Sequence, residues 1–342
     1  MTMPKVVTFG EIMLRLAPEG YLRFSQADKF GASFGGGEAN VAVSLAHFGI
    51  DAAFVTKLPN NDIGQAAANS LRRYGVDIAK IKRGGPRLGI YYLEKGASQR
   101  ASKVIYDRAG SSIALAEPGD FDWESIFGGV KWFHFTGITP ALGGKLPEIC
   151  EQACKTAKDL GLTVSCDLNY RKNLWPRETA GAVMGKLMRY VDICIANEED
   201  ASDVFGIKAP DSDISGGKLS HEGYKSVAFS LKQRFGFKTV AITLRGSVSA
   251  SDNNWAGMLY QDDEYYFSKS YAVHIIDRVG GGDSFGAGLI YSALAKKSPQ
   301  EALEFAVAAS CLKHSIEGDF NLVTADEVQK LIGGDGSGRV QR

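Results

Sequence analysis

The sequence predicts an α/β fold, three layers deep (α/β/α), with a mostly parallel central sheet and a small β lid. Three observations lead there. From Trp132 onward, apolar strand-like runs alternate with helix-length segments, which implies right-handed βαβ units and helices on both faces of a parallel sheet. Polar clusters close three successive strands, at Asp167 to Arg171, Asn197 to Asp200 and Thr243 to Ser247. Ligands of such sheets bind at the carboxyl ends of strands, so these clusters mark a candidate site. Finally, Gly89 to Glu94 and Lys103 to Arg108 read as a hairpin. Its Tyr91, Tyr92, Tyr106 and Arg108 are too polar to bury together cheaply, so the hairpin is expected to leave the main sheet and present a polar face.

The elements follow in order. Val6 to Glu11 reads as a buried strand, and Ile12 to Leu16 alternates like a half-exposed one. Gly35, Gly36 and Gly37 stand before Glu38 and Asn40 and lead into a helix over Val41 to Phe48, stopped by Gly49. These glycines read either as a tight strand-to-helix turn or as a wall that lets a ligand approach the backbone. Ala52 to Leu58 is a strand and Ile63 to Tyr74 a helix. After the hairpin come strand 132–136, helix 145–160, strand 163–169, helix 177–190, strand 193–197, helix 222–235 and strand 239–244. A helix over Ser284 to Lys297 presents Phe285, Leu289, Ala293 and Leu294 on one face. At this length the chain is one large α/β domain or two smaller ones, and the glycine-rich segment 333–342 is expected to be a flexible tail.

Composition narrows the function classes. Across 342 residues, 39 basic and 39 acidic side chains cancel, so no excess positive field is available to draw nucleic acid or a membrane surface. The five cysteines are scattered and form no Cys-x-x-Cys pair, which signals neither a disulfide framework nor zinc. No apolar run approaches the ~18 residues of a membrane span and no leader pattern opens the chain, so a cytoplasmic location is expected. Neither a P-loop nor a dinucleotide fingerprint is present.

The stretch Asp277 to Gly288 carries the chemistry. Gly280, Gly281 and Gly282 stand directly before Asp283 at the start of a helix. Uncovered amides and the helix dipole suit a phosphate there. Asp283 then has two readings, as a helix cap or as the base that takes a proton from an attacking hydroxyl while the glycine amides hold the phosphoryl group.

Gly35 to Ala42 resembles the first signature of the ribokinase-like (PfkB) sugar kinases, and Asp277 to Phe285 resembles their second, in the same order and over most of the chain. Within that family, Phe9 to Leu16, Gly89 to Tyr91, Tyr106 to Ser112, Asp167 to Arg171 and Lys313 to Asn321 are most similar to 2-keto-3-deoxygluconate kinases. The resemblance implies a single ribokinase-like domain over residues 1–332, with lid segments at about 12–34 and 88–112 inserted, and transfer of phosphate from ATP, with Mg2+, to the primary hydroxyl of that sugar acid. It implies Asp283 as base, Gly280 to Gly282 as anion hole, and Gly36, Gly37, Asn40, Tyr91, Tyr106, Arg108, Arg171 and Asp319 around the sugar. Asn197, Thr243, Arg245 and Gly246 would lie along the nucleotide, and Glu199 and Asp200 would order the metal through water. A homodimer or higher homo-oligomer through the lid is expected, and the need for a monovalent cation stays open. A carboxylate substrate gives chemical reason for Arg108 and Arg171, whose forks hold carboxylates bidentately; the other reading pairs each with a neighbouring Asp such as Asp107 or Asp167. Kinases for fructose, ribose or 5-keto-2-deoxygluconate, and a silent sugar-acid-binding protein, are the alternatives. Four residues depart from the family pattern: Gly281 for alanine, Arg278 for threonine, Asp200, with Glu199 adjacent, for the glutamate of Asn-x-x-Glu, and Arg245 for glycine.

Overall fold

The computed structural model describes residues 5–197, 199–208, 221–334 and 336. Apart from Gly333, Gly334 and Gly336, the expected tail lies outside them, as does Glu198 in the cluster after Asn197. The strands are β1 (Val6–Phe9), β2 (Met13–Ala17), β3 (Gly31–Gly35), β4 (Ala52–Val55), β5 (Lys57–Leu58), β6 (Lys82–Arg83), β7 (Gly89–Glu94) and β8 (Lys103–Asp107). They continue as β9 (Trp132–Thr136), β10 (Thr163–Asp167), β11 (Ile193–Ala196), β12 (Thr239–Ser247), β13 (Asp252–Gln261), β14 (Glu264–Phe267) and β15 (Tyr271–His274). The helices are α1 (Gly37–His47), α2 (Asp62–Arg73), α3 (Trp123–Ile126), α4 (Ile138–Ala141), α5 (Leu146–Asp159) and α6 (Arg177–Leu187). The later ones are α7 (Asp200–Phe205), α8 (His221–Phe235), α9 (Gly281–Leu294), α10 (Pro299–Lys313) and α11 (Ala325–Ile332).

The central sheet runs β4-β1-β9-β10-β11-β12 with every neighbouring pair parallel, as the strand–helix alternation predicts. Beyond β12 it turns antiparallel through β13, which pairs with both β14 and β15. Helices cover both faces. On one, Ile149, Ala153 and Ala157 of α5 and Ala180, Met184 and Leu187 of α6 join an aromatic cluster of Phe9, Trp123, Phe127, Phe133 and Phe135. On the other, Val41 and Leu45 of α1 pack with Ala287 and Ile290 of α9 and Phe305 of α10. Burial on both faces explains why the parallel strands read as continuous apolar runs.

A second sheet, ordered β3-β2-β7-β8, stands apart from the first. β7 and β8 form the expected antiparallel hairpin, joined to β2 in parallel and so to β3. The single strand expected over Ala52 to Leu58 is broken at Thr56: β4 stays with β1, whereas β5 leaves to pair with β6. The tip of the hairpin reaches the turn between β12 and β13, where the Ala250 amide donates to the Ser98 carbonyl (2.7 Å) and the Ser98 amide to the Ser251 hydroxyl (2.9 Å). Between the two sheets this leaves a bridged cavity. Among the described residues no helix is long and apolar enough to cross a membrane.

Candidate active site

A cavity of about 410 Å³ lies over the carboxyl ends of the parallel strands. Its wall contains Gly36, Gly37, Asn40, Tyr91, Tyr106, Arg108, Arg171, Asn197, Asp200, Thr243, Arg245, Gly280, Gly281, Gly282, Asp283 and Asp319. Residues spread over most of the chain thus meet at one place. Two others do not: Glu199 is exposed, and Gly246 lies on β12 opposite Asn254, both away from this wall.

The floor is the start of α9. Gly280 caps it at φ 85°, in the left-handed region that favours glycine, and a Cβ there would sit 2.1 Å from the Asp319 carbonyl oxygen. The turn closes through the Ser284 amide and hydroxyl, both donating to the Gly280 carbonyl. The amides of Gly282 and Asp283 have no acceptor among the described residues, which leaves two donors at a helix N-terminus for an anion. A Cβ on Gly282 would meet nothing within 4 Å, because that side of the turn is open. Gly282→Ala is therefore expected to fold normally yet raise KM for the phosphate donor and lower kcat, the methyl group filling ligand space; steady-state kinetics alongside thermal melting checks this.

Asp283 stands on the first turn of α9 and faces the other glycine row. Asn40 Nδ2 donates to its Oδ2 (2.7 Å), and a Cβ on Gly37 would be 3.5 Å from its Oδ1. The helix-cap reading has no hydrogen bond behind it, since the cap residue is Gly280 and the Asp283 carboxylate accepts from a side chain on α1. Burial pushes its pKa up to about 6, with Asp319 adding to the shift while Asn40, Arg171 and Lys313 oppose it. A carboxylate in that range can accept a proton near neutral pH. Asp167, at the end of β10, is raised well above its ordinary value by burial and by the nearby charges of Asp200 and Asp283.

The two candidate arginines differ. Arg108 is not a free cation, and its partner is not Asp107: its Nε donates to Glu11 Oε2 at 2.8 Å, and its Nη2 closes on the same oxygen. Ser111 holds the other oxygen of Glu11, while Asp107 is taken by Arg87. Burial of Arg108 and Glu11 explains the tight pair, which leaves only Nη1 of Arg108 without an acceptor. Arg171 makes no ion pair among the described residues; its Nη1 donates to the Tyr170 carbonyl (3.0 Å) and its charge faces the cavity.

Asp319 is held from below. Arg15 on β2 bridges its Oδ1 (2.9 Å) and Asp277 Oδ2 (2.5 Å), and the Tyr91 hydroxyl lies 2.6 Å from both Asp319 oxygens. Burial disfavours the charge of Arg15, but the two carboxylates outweigh that and raise its pKa. This cluster ties the lid strands β2 and β7 to the loop ahead of Gly280. Arg15 and Glu11 were not singled out from the sequence. The available signal was a charge at Arg15 on the same buried parity as Met13, in a strand that otherwise alternates.

Asn197 acts locally: its Oδ1 accepts the amides of Glu199 and Asp200, starting α7. Asp200 in turn accepts the amides of Asn197 and Tyr170 (both 3.1 Å). Among the described residues no group of three or more His, Cys, Asp or Glu is placed to hold a metal directly. The donor set suits Mg2+ kept by its own waters and by phosphate, with Asp167 and Asp200 behind.

A model of the pfkB family carbohydrate kinases matches residues 3–323. The 2-dehydro-3-deoxygluconokinase of Thermotoga maritima has a crystal structure that superposes with a TM-score of 0.94, at 53% sequence identity over 97% of this chain and 100% of that one. A putative 2-keto-3-deoxygluconate kinase from Enterococcus faecalis superposes with a TM-score of 0.90 at 27% identity, covering 99% of each chain. The 2-dehydro-3-deoxygalactonokinase of Haloferax volcanii is 31% identical over 98% of both chains. The chain belongs to the pfkB family of carbohydrate kinases.

Proposed function

We propose that this kinase transfers the terminal phosphoryl group of ATP to the primary hydroxyl of 2-dehydro-3-deoxygluconate, also called 2-keto-3-deoxygluconate. The observation that carries the reading is Asp283, a carboxylate with a pKa near 6, in one cavity with Arg171 and with the amides of Gly282 and Asp283, none of which has an ion-pair partner or acceptor that would occupy it among the described residues. The similarity to the Thermotoga enzyme over 97% of this chain supports the choice of sugar acid.

In this reading Asp283 accepts the proton of the attacking hydroxyl as the new O–P bond forms and the bond to the β-phosphate oxygen breaks, leaving ADP. The amides at the start of α9 stabilise charge on the moving phosphoryl group, and Asn40 keeps the Asp283 carboxylate aimed. When bound, Mg2+ supplies charge neutralisation for the phosphates. Thr243 and Arg245 lie on the nucleotide side, and Asn197 and Asp200 order the polar wall beside it. Arg171 and the remaining donor of Arg108 take the sugar-acid carboxylate, with Tyr91, Tyr106, Gly36 and Gly37 around the chain of hydroxyls. The lid keeps out water, the competing acceptor. Ile105 is exposed on the face of β8 opposite the cavity that Val104 lines, and we assign this outer lid face to subunit pairing.

Arg171→Ala is expected to raise KM for the sugar acid by about tenfold or more, the loss of a charge-assisted contact, while KM for ATP changes little. Arg108→Ala should do the same and also loosen the lid by freeing Glu11. Initial-rate kinetics with each substrate varied in turn checks this, and equal effects on both KM values would remove the carboxylate assignment.

A further inference from the structure

Resting on the reading of the cavity as a kinase site, we propose that Arg278 and Arg245 form a two-arginine clamp for the terminal phosphates of the nucleotide donor. Both line the cavity, and among the described residues neither makes an ion pair with a carboxylate. Asp277 is the nearest acidic neighbour of Arg278 in sequence, but its oxygens already serve Arg15 and the amides of Val279 and Gly318.

Each guanidinium has a fixed neighbour, Arg278 a carbonyl behind the cavity wall and Arg245 a ring that lines the cavity. Arg278 Nη2 donates to the Ala250 carbonyl (3.0 Å). Arg245 lies 5.6 Å from the ring centre of Trp255, the buried residue opposite it on β13. The two are close enough that the charge of Arg245, after burial, helps lower the pKa of Arg278, with Asp277 opposing. Two like charges held together, with no carboxylate in contact with either among the described residues, cost free energy, and an anion bearing more than one negative charge relieves that cost. The sugar-acid carboxylate carries one charge; a triphosphate end carries several.

Position favours the same ligand. Arg278 is two residues ahead of Gly280, so the clamp borders the turn whose Gly282 and Asp283 amides are unclaimed. A planar fork matches phosphate oxygens bidentately, which amides alone cannot do. The turn that steadies Arg278 through Ala250 also receives the lid tip through Ser98. The clamp is therefore steadied on the side where the lid is docked.

The test compares binding of a non-hydrolysable ATP analogue, with Mg2+, and of adenosine to the wild-type chain, Arg278→Ala and Arg245→Ala by calorimetry. A clamp predicts that each variant loses about tenfold or more in affinity for the analogue, the scale of one charged hydrogen bond, with adenosine affinity unchanged. Arg278→Lys should recover part of the loss, since it restores charge without the fork. Parallel weakening of both ligands, or unaltered analogue binding, would overturn the clamp. Because Arg245 is exposed, its variant keeps the test decisive if Arg278→Ala does not fold. Wild-type protein that binds no analogue would end the kinase reading and the clamp together, whereas normal binding by both variants ends the clamp alone.

Discussion

Replacing Asp283 with asparagine is expected to lower kcat by about 10² or more, the usual worth of a positioned base, without lowering stability. The geometry favours a clean experiment. Asn40 Nδ2 reaches Oδ2 at 2.7 Å, and an asparagine oxygen can accept the same bond. The substitution also removes a carboxylate whose ionisation burial disfavours. The sign of the pH dependence follows. A carboxyl raised from 3.8 to about 6 holds a proton in the folded chain that the unfolded chain has released, so this group favours folding more as pH falls through that window and less as it rises. Activity runs the opposite way, because the base form accumulates only above about 6. In wild-type protein kcat/KM should therefore fall about tenfold per pH unit below that value. Full turnover in the variant, or a flat profile into the acid range, would contradict the role given to Asp283.

The second large effect concerns stability. Arg15→Met should cost about 3 to 5 kcal/mol, because it strips the buried Asp277 and Asp319 of their shared cation. Chemical denaturation measures it, and Arg15→Lys should lose less. The same variant frees β2 and Tyr91 from the loop ahead of Gly280, so KM for the sugar should rise as well. A loss under about 1 kcal/mol would mean that this triad is not dry in solution.

Much of this architecture was legible in the chain. The parallel core declared itself through apolar runs such as Trp132–Thr136, buried on both faces. The Gly-rich entrance to α9 could be read as a helix start, since glycines allow the left-handed turn at Gly280 and the close packing of Gly281 on His314. The extra strands were harder. β3, with two of its five residues glycine, has no strand-forming pattern, and β13 opens with Asp252, Asn253 and Asn254. Both are held by pairing with neighbouring strands: β3 lies on β2, and the start of β13 lies between β12 and β15.

Pairing of charges was the least legible feature. Arg108 sits next to Asp107, yet a β-strand sends adjacent side chains to opposite faces, so Arg108 turns inward to Glu11 and Asp107 outward to Arg87. The acidic cluster after Asn197 likewise looked like a metal shell. In the structure Asp200 accepts two backbone amides and still borders the cavity, whereas Glu199 is exposed. Arg278 had no evident purpose in the sequence, and only its place beside Arg245 and the Gly280 turn suggests one.

The most direct test of the account is ATP turnover by the purified wild-type chain, followed by coupled ADP release, against 2-dehydro-3-deoxygluconate, 2-dehydro-3-deoxygalactonate, fructose, ribose and 5-dehydro-2-deoxygluconate. The account predicts the highest kcat/KM on 2-dehydro-3-deoxygluconate and a product phosphorylated at the primary hydroxyl. Faster turnover of a neutral sugar would contradict it, as would binding of the sugar acid without release of ADP.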